Sequence, residues 1–470
     1  MRRLTKVRLS FAAIRLENKM QAKVKSTGSV KPLGIVLLVA GLLWSFAATT
    51  TASPLTLTVT LTETVADPFG IYKECNVFVL KGMKANEPQV AAVFYDTGPT
   101  NVYSAQVAFY DSWLNLMDTW TIPDPSQSNP DMVMLVTSGD LNGDGKNEIA
   151  LVGRQRSAGV YVTQWNGQSQ HIENLWNYPL GTIPSSEYAR GVAVGKFVPD
   201  SVSPGKQVAF GGTPASSLFY VLNNGGGLLS QGVAGFGNRV VQHIEAVDLD
   251  SDGLDEMLLS TGRDGGRVTA YEYNQVTNQW GVSWSVNATS GKNVGNDVYG
   301  VSYHPTGGPT GGPAVAFATE SESLTELHGS VGLLDLTHFD SQGRPVILWQ
   351  QAYPENARPS SVDFADITGD GVPELMARMS FLDHTQKLAI YDNRGNLIAA
   401  PVVDLAETMT PYVFDYGNDG KMDILFSGAP GVFNVYRVVE VPEPPAWIYL
   451  ATIACVVGKW IVSKGRSKGR

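Results

Sequence analysis

The chain repeats itself at a period of about 54 residues, and that period limits its fold more than any single motif does. A unit of that length cannot bury an apolar face alone, so copies must pack against one another around a shared core. Two registers define the repeat. The first is an acidic loop running into a short apolar strand. It reads DLNGDGKNE then IALVG from Asp140, DLDSDGLDE then MLLS from Asp248, DITGDGVPE then LMARM from Asp366, and DYGNDGKMD then ILFSG from Asp415. The first two loops start 108 residues apart, two periods. Between them, 191–212 keeps the flanking strands without the acids, and 300–319 does the same before the third loop. The apolar pair in 77–96 is a first degenerate copy.

The second register is a strand closing near Tyr110, Tyr161, Tyr220, Tyr271, Leu334, Tyr391 and Tyr436, seven marks over 326 residues. Polar turns such as Asn223-Asn224-Gly225 follow, and then Trp120, Trp176, Trp284 and Trp349 in a further strand. Loop, strand, strand, strand at this period predicts one blade of four antiparallel strands. About seven blades fill roughly residues 60–440, so the expected fold is an all-β, seven-bladed β-propeller. The composition agrees, since 49 Gly and only 17% charged residues favour many short strands joined by turns.

Formal charge is −10, unevenly spread. Residues 1–31 carry +8 and residues 459–470 carry +5, which leaves −23 for the body between them. An acidic body argues against nucleic acid as a partner, because phosphate binding needs a basic face. The run from Leu33 to Ala48 has the length of a signal-peptide core, with small residues suited to cleavage after Ala52. Residues 1–52 are therefore expected to be a signal peptide, and Met20 would give a conventional short basic leader. Residues 53–440 form the propeller, and 441–470 a separate terminal segment. That segment runs Val441-Pro442-Glu443-Pro444-Pro445, a short apolar stretch, then a basic tail, as a membrane-anchoring helix with a retained cytoplasmic end would. It is similar to the PEP-CTERM sorting signal of Gram-negative bacteria, differing in Lys459 within the apolar run. Both ends imply export to the cell surface, outer envelope or extracellular matrix. The two cysteines, Cys75 and Cys455, lie in different segments and are not expected to pair, so the fold must stand without a disulfide.

The acidic loops resemble an EF-hand at first sight. That motif needs a bidentate Glu at position 12, where these loops have Leu151, Leu259, Ala377 and Phe426. The acid falls instead at position 9, and strands follow. Positions 1, 3, 5 and 9 then supply side-chain oxygens: Asp140, Asn142, Asp144 and Glu148 in the first loop, and Asp248, Asp250, Asp252 and Glu256 in the second. The third offers Asp366, Thr368, Asp370 and Glu374. The fourth offers Asp415, Asp419 and Asp423, with Gly417 at position 3. Position 7 contributes a backbone carbonyl from Lys146, Leu254, Val372 and Lys421. Hard oxygens with no His or Cys select Ca²⁺, and about four structural ions are expected.

These loops, with the closing Asp423-Ile-Leu-Phe-Ser-Gly-Ala-Pro430 run, resemble FG-GAP/VCBS repeats, the units of integrin α-subunit propellers and of many bacterial surface proteins. The resemblance implies structural calcium and an adhesion or binding role without identifying the ligand, and a polysaccharide or surface protein is the expected partner. No catalytic residue is nominated. The six histidines are scattered, and no Gly-x-Ser-x-Gly, His-Glu-x-x-His or phosphate-binding glycine motif occurs. A secreted carbohydrate-active hydrolase or lyase, its site assembled from separate blades, is the rival expectation, and a matrix scaffold a third.

Overall fold

The computed structural model describes residues 57–440 apart from 71, 73, 98–102, 122–131, 155–158, 180–190, 212–217, 234–239, 263–264, 290–296, 321–327, 354–356, 382–385, 401, 404–411 and 429–430. The expected signal peptide, terminal segment and Cys455 lie outside these residues. Among the described residues there is no α-helix, and no helix long and apolar enough to cross a membrane.

Strand β1 (Leu57–Ala66) comes first, and six sheets of consecutive strands follow. They are β2 (Glu74–Val79), β3 (Val90–Thr97), β4 (Tyr103–Tyr110) and β5 (Leu116–Thr121); β6 (Met132–Gly139), β7 (Glu148–Arg154), β8 (Gly159–Asn166) and β9 (His171–Pro179). Next are β10 (Val192–Gly195), β11 (Gln207–Gly211), β12 (Leu218–Leu222) and β13 (Leu228–Val233); β14 (Val240–Val247), β15 (Glu256–Gly262), β16 (Arg267–Asn274) and β17 (Gln279–Asn287). Then come β18 (Asp297–His304), β19 (Ala314–Glu320), β20 (Gly329–Phe339) and β21 (Pro345–Tyr353); β22 (Ala357–Ala365), β23 (Glu374–Phe381), β24 (Gln386–Tyr391) and β25 (Leu397–Ala399), with β26 (Val402–Val403) also on β24. The seventh sheet is β27 (Tyr412–Phe414), β28 (Asp423–Gly428) and β29 (Val432–Glu440), completed by β1.

All pairings are antiparallel, and the fold is a seven-bladed β-propeller. The first strand of each blade lines a central channel. The second strand is sandwiched between neighbouring blades, so both of its faces are covered. That is why these strands read as unbroken apolar runs: β15 and β19 are buried at every residue. The outermost strands alternate, as β9 does, because one face meets solvent. Each of the seven seams between blades holds its own apolar cluster.

The sequence marks fall where the repeat requires. Each of the seven Tyr or Leu marks lies on the third strand of its blade, and the four tryptophans on the fourth. All seven pairings of third with fourth strand shift register at or next to the mark, where one extra residue on the fourth strand makes a bulge that twists it away. Two of the tyrosines pack against tryptophans across seams: Tyr161 lies edge-on 5.7 Å from Trp120, and Tyr391 lies tilted 5.8 Å from Trp349. One element escapes the repeat reading. The last blade takes its outer strand from β1, which pairs with β29 from Leu57↔Glu440 to Ala66↔Val432. The alternating LTVTLTETV was visible in the sequence, but its partner lies at the far end of the chain.

Candidate functional site

Each acidic loop joins the first strand of its blade to the second. Left-handed backbone makes the tight wrap possible: position 6 is Gly145, Gly253, Gly371 and Gly420, with φ between 79° and 85°. Position 4 is also left-handed in the first three loops, at Gly143, Ser251 and Gly369. Ser251 adopts φ 64° without a glycine's freedom.

The first and third loops share one hydrogen-bonding scheme. The Asp at position 1 receives the N–H groups of positions 4 and 6: Gly143 at 2.8 Å and Gly145 at 3.0 Å on Asp140, Gly369 at 2.7 Å and Gly371 at 2.8 Å on Asp366. Position 5 receives the N–H of position 7, Lys146 on Asp144 and Val372 on Asp370, each at 2.8 Å. The Glu at position 9 is the floor. Glu148, Glu256 and Glu374 are buried, and each accepts the N–H of position 2: Leu141 at 2.7 Å, Leu249 at 2.6 Å and Ile367 at 2.9 Å. Its other oxygen faces position 3, where it takes Asn142 Nδ2 at 3.0 Å in the first loop and Thr368 Oγ1 at 3.0 Å in the third.

The second loop departs in the direction of more charge. Oxygens of Asp248, Asp250 and Glu256 lie within 4.8 Å of one another, as do those of Asp250, Asp252 and Glu272. Asp248 Oδ1 is buried with no hydrogen-bond partner among the described residues. An oxygen in that state fits a hard cation, which replaces the missing donor. Burial pushes Glu256 up to about 7, with the Leu249 N–H opposing and Asp250 and Glu272 adding to the rise. Burial likewise raises Glu148 and Glu374. A divalent ion would reverse these shifts by favouring the ionised form.

The fourth loop is built differently, with an arginine at its floor. Asp415 keeps its role, accepting Asp419 N–H at 2.8 Å and Gly420 N–H at 2.9 Å. Asp423, fully buried and one methylene shorter than Glu, is gripped by Arg437 instead, through Nε at 2.9 Å and Nη2 at 2.8 Å. Arg437 Nη1 also meets Asp419 at 2.9 Å. The guanidinium supplies the positive charge that the expectation gave to an ion, and with Gly417 at position 3 no side-chain oxygen is offered there. Asp415, Asp419, Lys421 and Asp423 are therefore left out of the metal sets proposed below.

Glu272 and Arg437 escaped the sequence reading because they act across a strand pair. Arg437 stands opposite Asp423 in the register, as Gln164 stands opposite Glu148 and bonds it at 3.0 Å. Continuing the β15–β16 register puts Glu272 opposite Glu256. The β23–β24 register likewise puts Asp392 opposite Glu374, so this one cross-strand position carries Gln, Glu, Asp or Arg in the four loops.

The loops also sit on blade seams. Lys206 N–H reaches Leu141 O at 2.9 Å, and Asn147 reaches back to Lys81 O at 3.0 Å. Asp255 and Lys196 exchange two bonds, 2.6 and 2.8 Å. Gly417 N–H reaches Ser112 O at 2.9 Å. Fixing a loop therefore fixes a seam.

No family model matches this sequence, and no curated protein matches it. Among solved structures the chain is similar in fold to Saccharomyces cerevisiae Sqt1, at 12% identity and a TM-score of 0.49 over 83% of this chain and 100% of that one. It is similar likewise to U3-55K, at 12% identity and a TM-score of 0.47 over 82% and 100%.

Proposed function

We propose that this is an exported, calcium-stabilised propeller acting as a binding or adhesion module at a cell surface or in an extracellular matrix, with a polysaccharide or surface protein as its ligand. The observation that carries the calcium reading is the shared floor of three loops: a buried Glu under a ring of Asp, Asn or Thr oxygens, with an orphaned buried oxygen on Asp248. Three ions are proposed, held by Asp140, Asn142, Asp144 and Glu148; by Asp248, Asp250, Asp252 and Glu256; and by Asp366, Thr368, Asp370 and Glu374. Their role is structural. The ion neutralises carboxylates that repel one another and pins a loop that spans a seam. The export reading rests on the apolar run before Ala52 and the Pro-Glu-Pro segment with its basic tail. Likeness of the loops to FG-GAP/VCBS repeats supports the surface role.

Calorimetric titration of the metal-free chain with calcium tests the loops: three equivalents are expected, and none would sink the reading. A glycan and surface-protein binding screen with calcium present tests the binding role. Release of new reducing ends from a polysaccharide would replace that role with the enzymatic one.

A further inference from the structure

The first strands of the seven blades enclose a cavity of about 210 Å³ on the channel axis. Much of its wall is apolar, formed by residues such as Val136, Ile244 and Val362. At the end where these strands run out into the acidic loops, three charged side chains from three blades converge: Lys81 just past β2, Glu245 of β14 and Asp363 of β22. Glu245 and Asp363 share one register, each three residues before the first Asp of a loop. The same place holds Thr137 and Tyr412 in two other blades, so the repeat itself does not demand an acid there.

Each carboxylate is half used. Glu245 Oε2 accepts Tyr303 N–H at 2.9 Å, and Asp363 Oδ1 accepts Ser302 Oγ–H at 3.0 Å and Phe364 N–H at 2.9 Å. Glu245 Oε1 and Asp363 Oδ2 have no protein partner among the described residues, and no ion pair joins Lys81 to either acid. Lys81 is open to the channel yet surrounded by protein, and Asp363 strengthens its hold on its proton. Burial pushes Glu245 up to about 7 and raises Asp363, with Lys81 opposing both. His243, on the same strand as Glu245, is pushed down to about 4 by burial and by Lys81, and adds no charge at neutral pH. A structural ion pair closes its charges on each other. These three are held apart around a cavity, which is the arrangement of a site that leaves room for a ligand's own charges.

We propose that this end of the channel binds a small zwitterion of amino-acid size, its ammonium held between Glu245 and Asp363 and its carboxylate on Lys81. The charges select the class. A simple cation meets Lys81, a simple anion meets two carboxylates, and a neutral polyol leaves all three uncompensated. The volume selects the size. It is the room of about seven waters and lies below the roughly 300 Å³ of pockets for drug-sized molecules. The apolar wall takes an aliphatic side chain. None of these groups belongs to an acidic loop, so the site stands or falls independently of calcium.

The test is calorimetric titration of the full chain, calcium present, with each proteinogenic amino acid. It is followed by the matched amine without its carboxylate and the matched acid without its amine. At least one amino acid is expected to bind at about 1 mM or tighter, with each matched fragment weaker by about tenfold or more. Glu245→Gln, Asp363→Asn and Lys81→Met are each expected to weaken binding by a similar factor. The proposal is overturned if no amino acid binds below about 10 mM, if an amine fragment binds as well as its parent, or if the substitutions leave affinity unchanged. Should a variant fail to fold, the fragment comparison on the unsubstituted chain decides the matter alone.

Discussion

Arg437 and Ser251 show how single residues set the character of each loop. Asp423 is fully buried, and its compensation among the described residues is the guanidinium that grips it through two nitrogens. Arg437→Met leaves that carboxylate uncompensated and is expected to destabilise the chain by about 3 kcal/mol in chemical denaturation. Calcium should recover part of that loss in the variant and do nothing at this loop in the parent chain. Ser251 holds a left-handed backbone where its counterparts in the first and third loops are Gly143 and Gly369. Ser251→Gly is accordingly expected to stabilise by about 1 kcal/mol, read by the same denaturation curves. Which loops fit an ion was only partly legible in the sequence. The ligand spacing was plain, but Arg437 and Glu272 sit opposite position 9 by strand register, and register is decided in three dimensions.

At the scale of elements, neighbouring blades are latched by tryptophans. The indole N–H of Trp176 donates to Asn224 O at 2.8 Å, and that of Trp349 to Asn393 O at 3.1 Å, each carbonyl lying in the third-to-fourth-strand turn of the next blade. A left-handed glycine, Gly226 or Gly395, lets the indole lie against the turn, and a Cβ on Gly395 would meet Trp349 at 2.7 Å. Trp349→Phe keeps an aromatic ring but loses the donor and part of the indole's packing, and should cost about 1 kcal/mol or more. Gly395→Ala forces a clash and a strained φ together and should cost about 2 kcal/mol or more. Both are measurable as shifts in the denaturation midpoint at unchanged slope. Blade strands were readable because each is sandwiched or half-exposed in a repeating way, and the Tyr and Trp marks recur on fixed strands. Strand β1 was not readable as part of a blade, since nothing near it in sequence is its partner. The channel acids were not readable either: Lys81, Glu245 and Asp363 belong to blades far apart in the chain, and only ring closure brings them together.

For the molecule as a whole, calcium and pH should act in opposition. Glu148, Glu256 and Glu374 are all raised above the ordinary carboxylate range, Glu256 to about 7. A group raised on folding contributes stability that is full below its unfolded value and is lost as pH climbs through the folded one. In the metal-free chain these carboxyls should therefore favour pH 5 over pH 7.5, with Glu245 and Glu320, each also pushed to about 7 by burial, adding to that slope and His243, pushed down to about 4, opposing it. Bound calcium requires the ionised form, so it should flatten or reverse the trend. Three sites at a hundred times their Kd would add about 8 kcal/mol by mass action, and chelation at pH 7.5 should lower the melting temperature by on the order of 10 °C. The β1–β29 clasp has a mechanical meaning as well. Leu57 pairs with Glu440, so both ends of the ring leave from the same end of one antiparallel pair. Tension applied between the two ends loads the rungs one at a time, peeling the pair from Leu57–Glu440 toward Ala66–Val432 as a zipper opens, where a sheared pair would share the load. The ring should give way at low force, at this one blade, with the other six still intact.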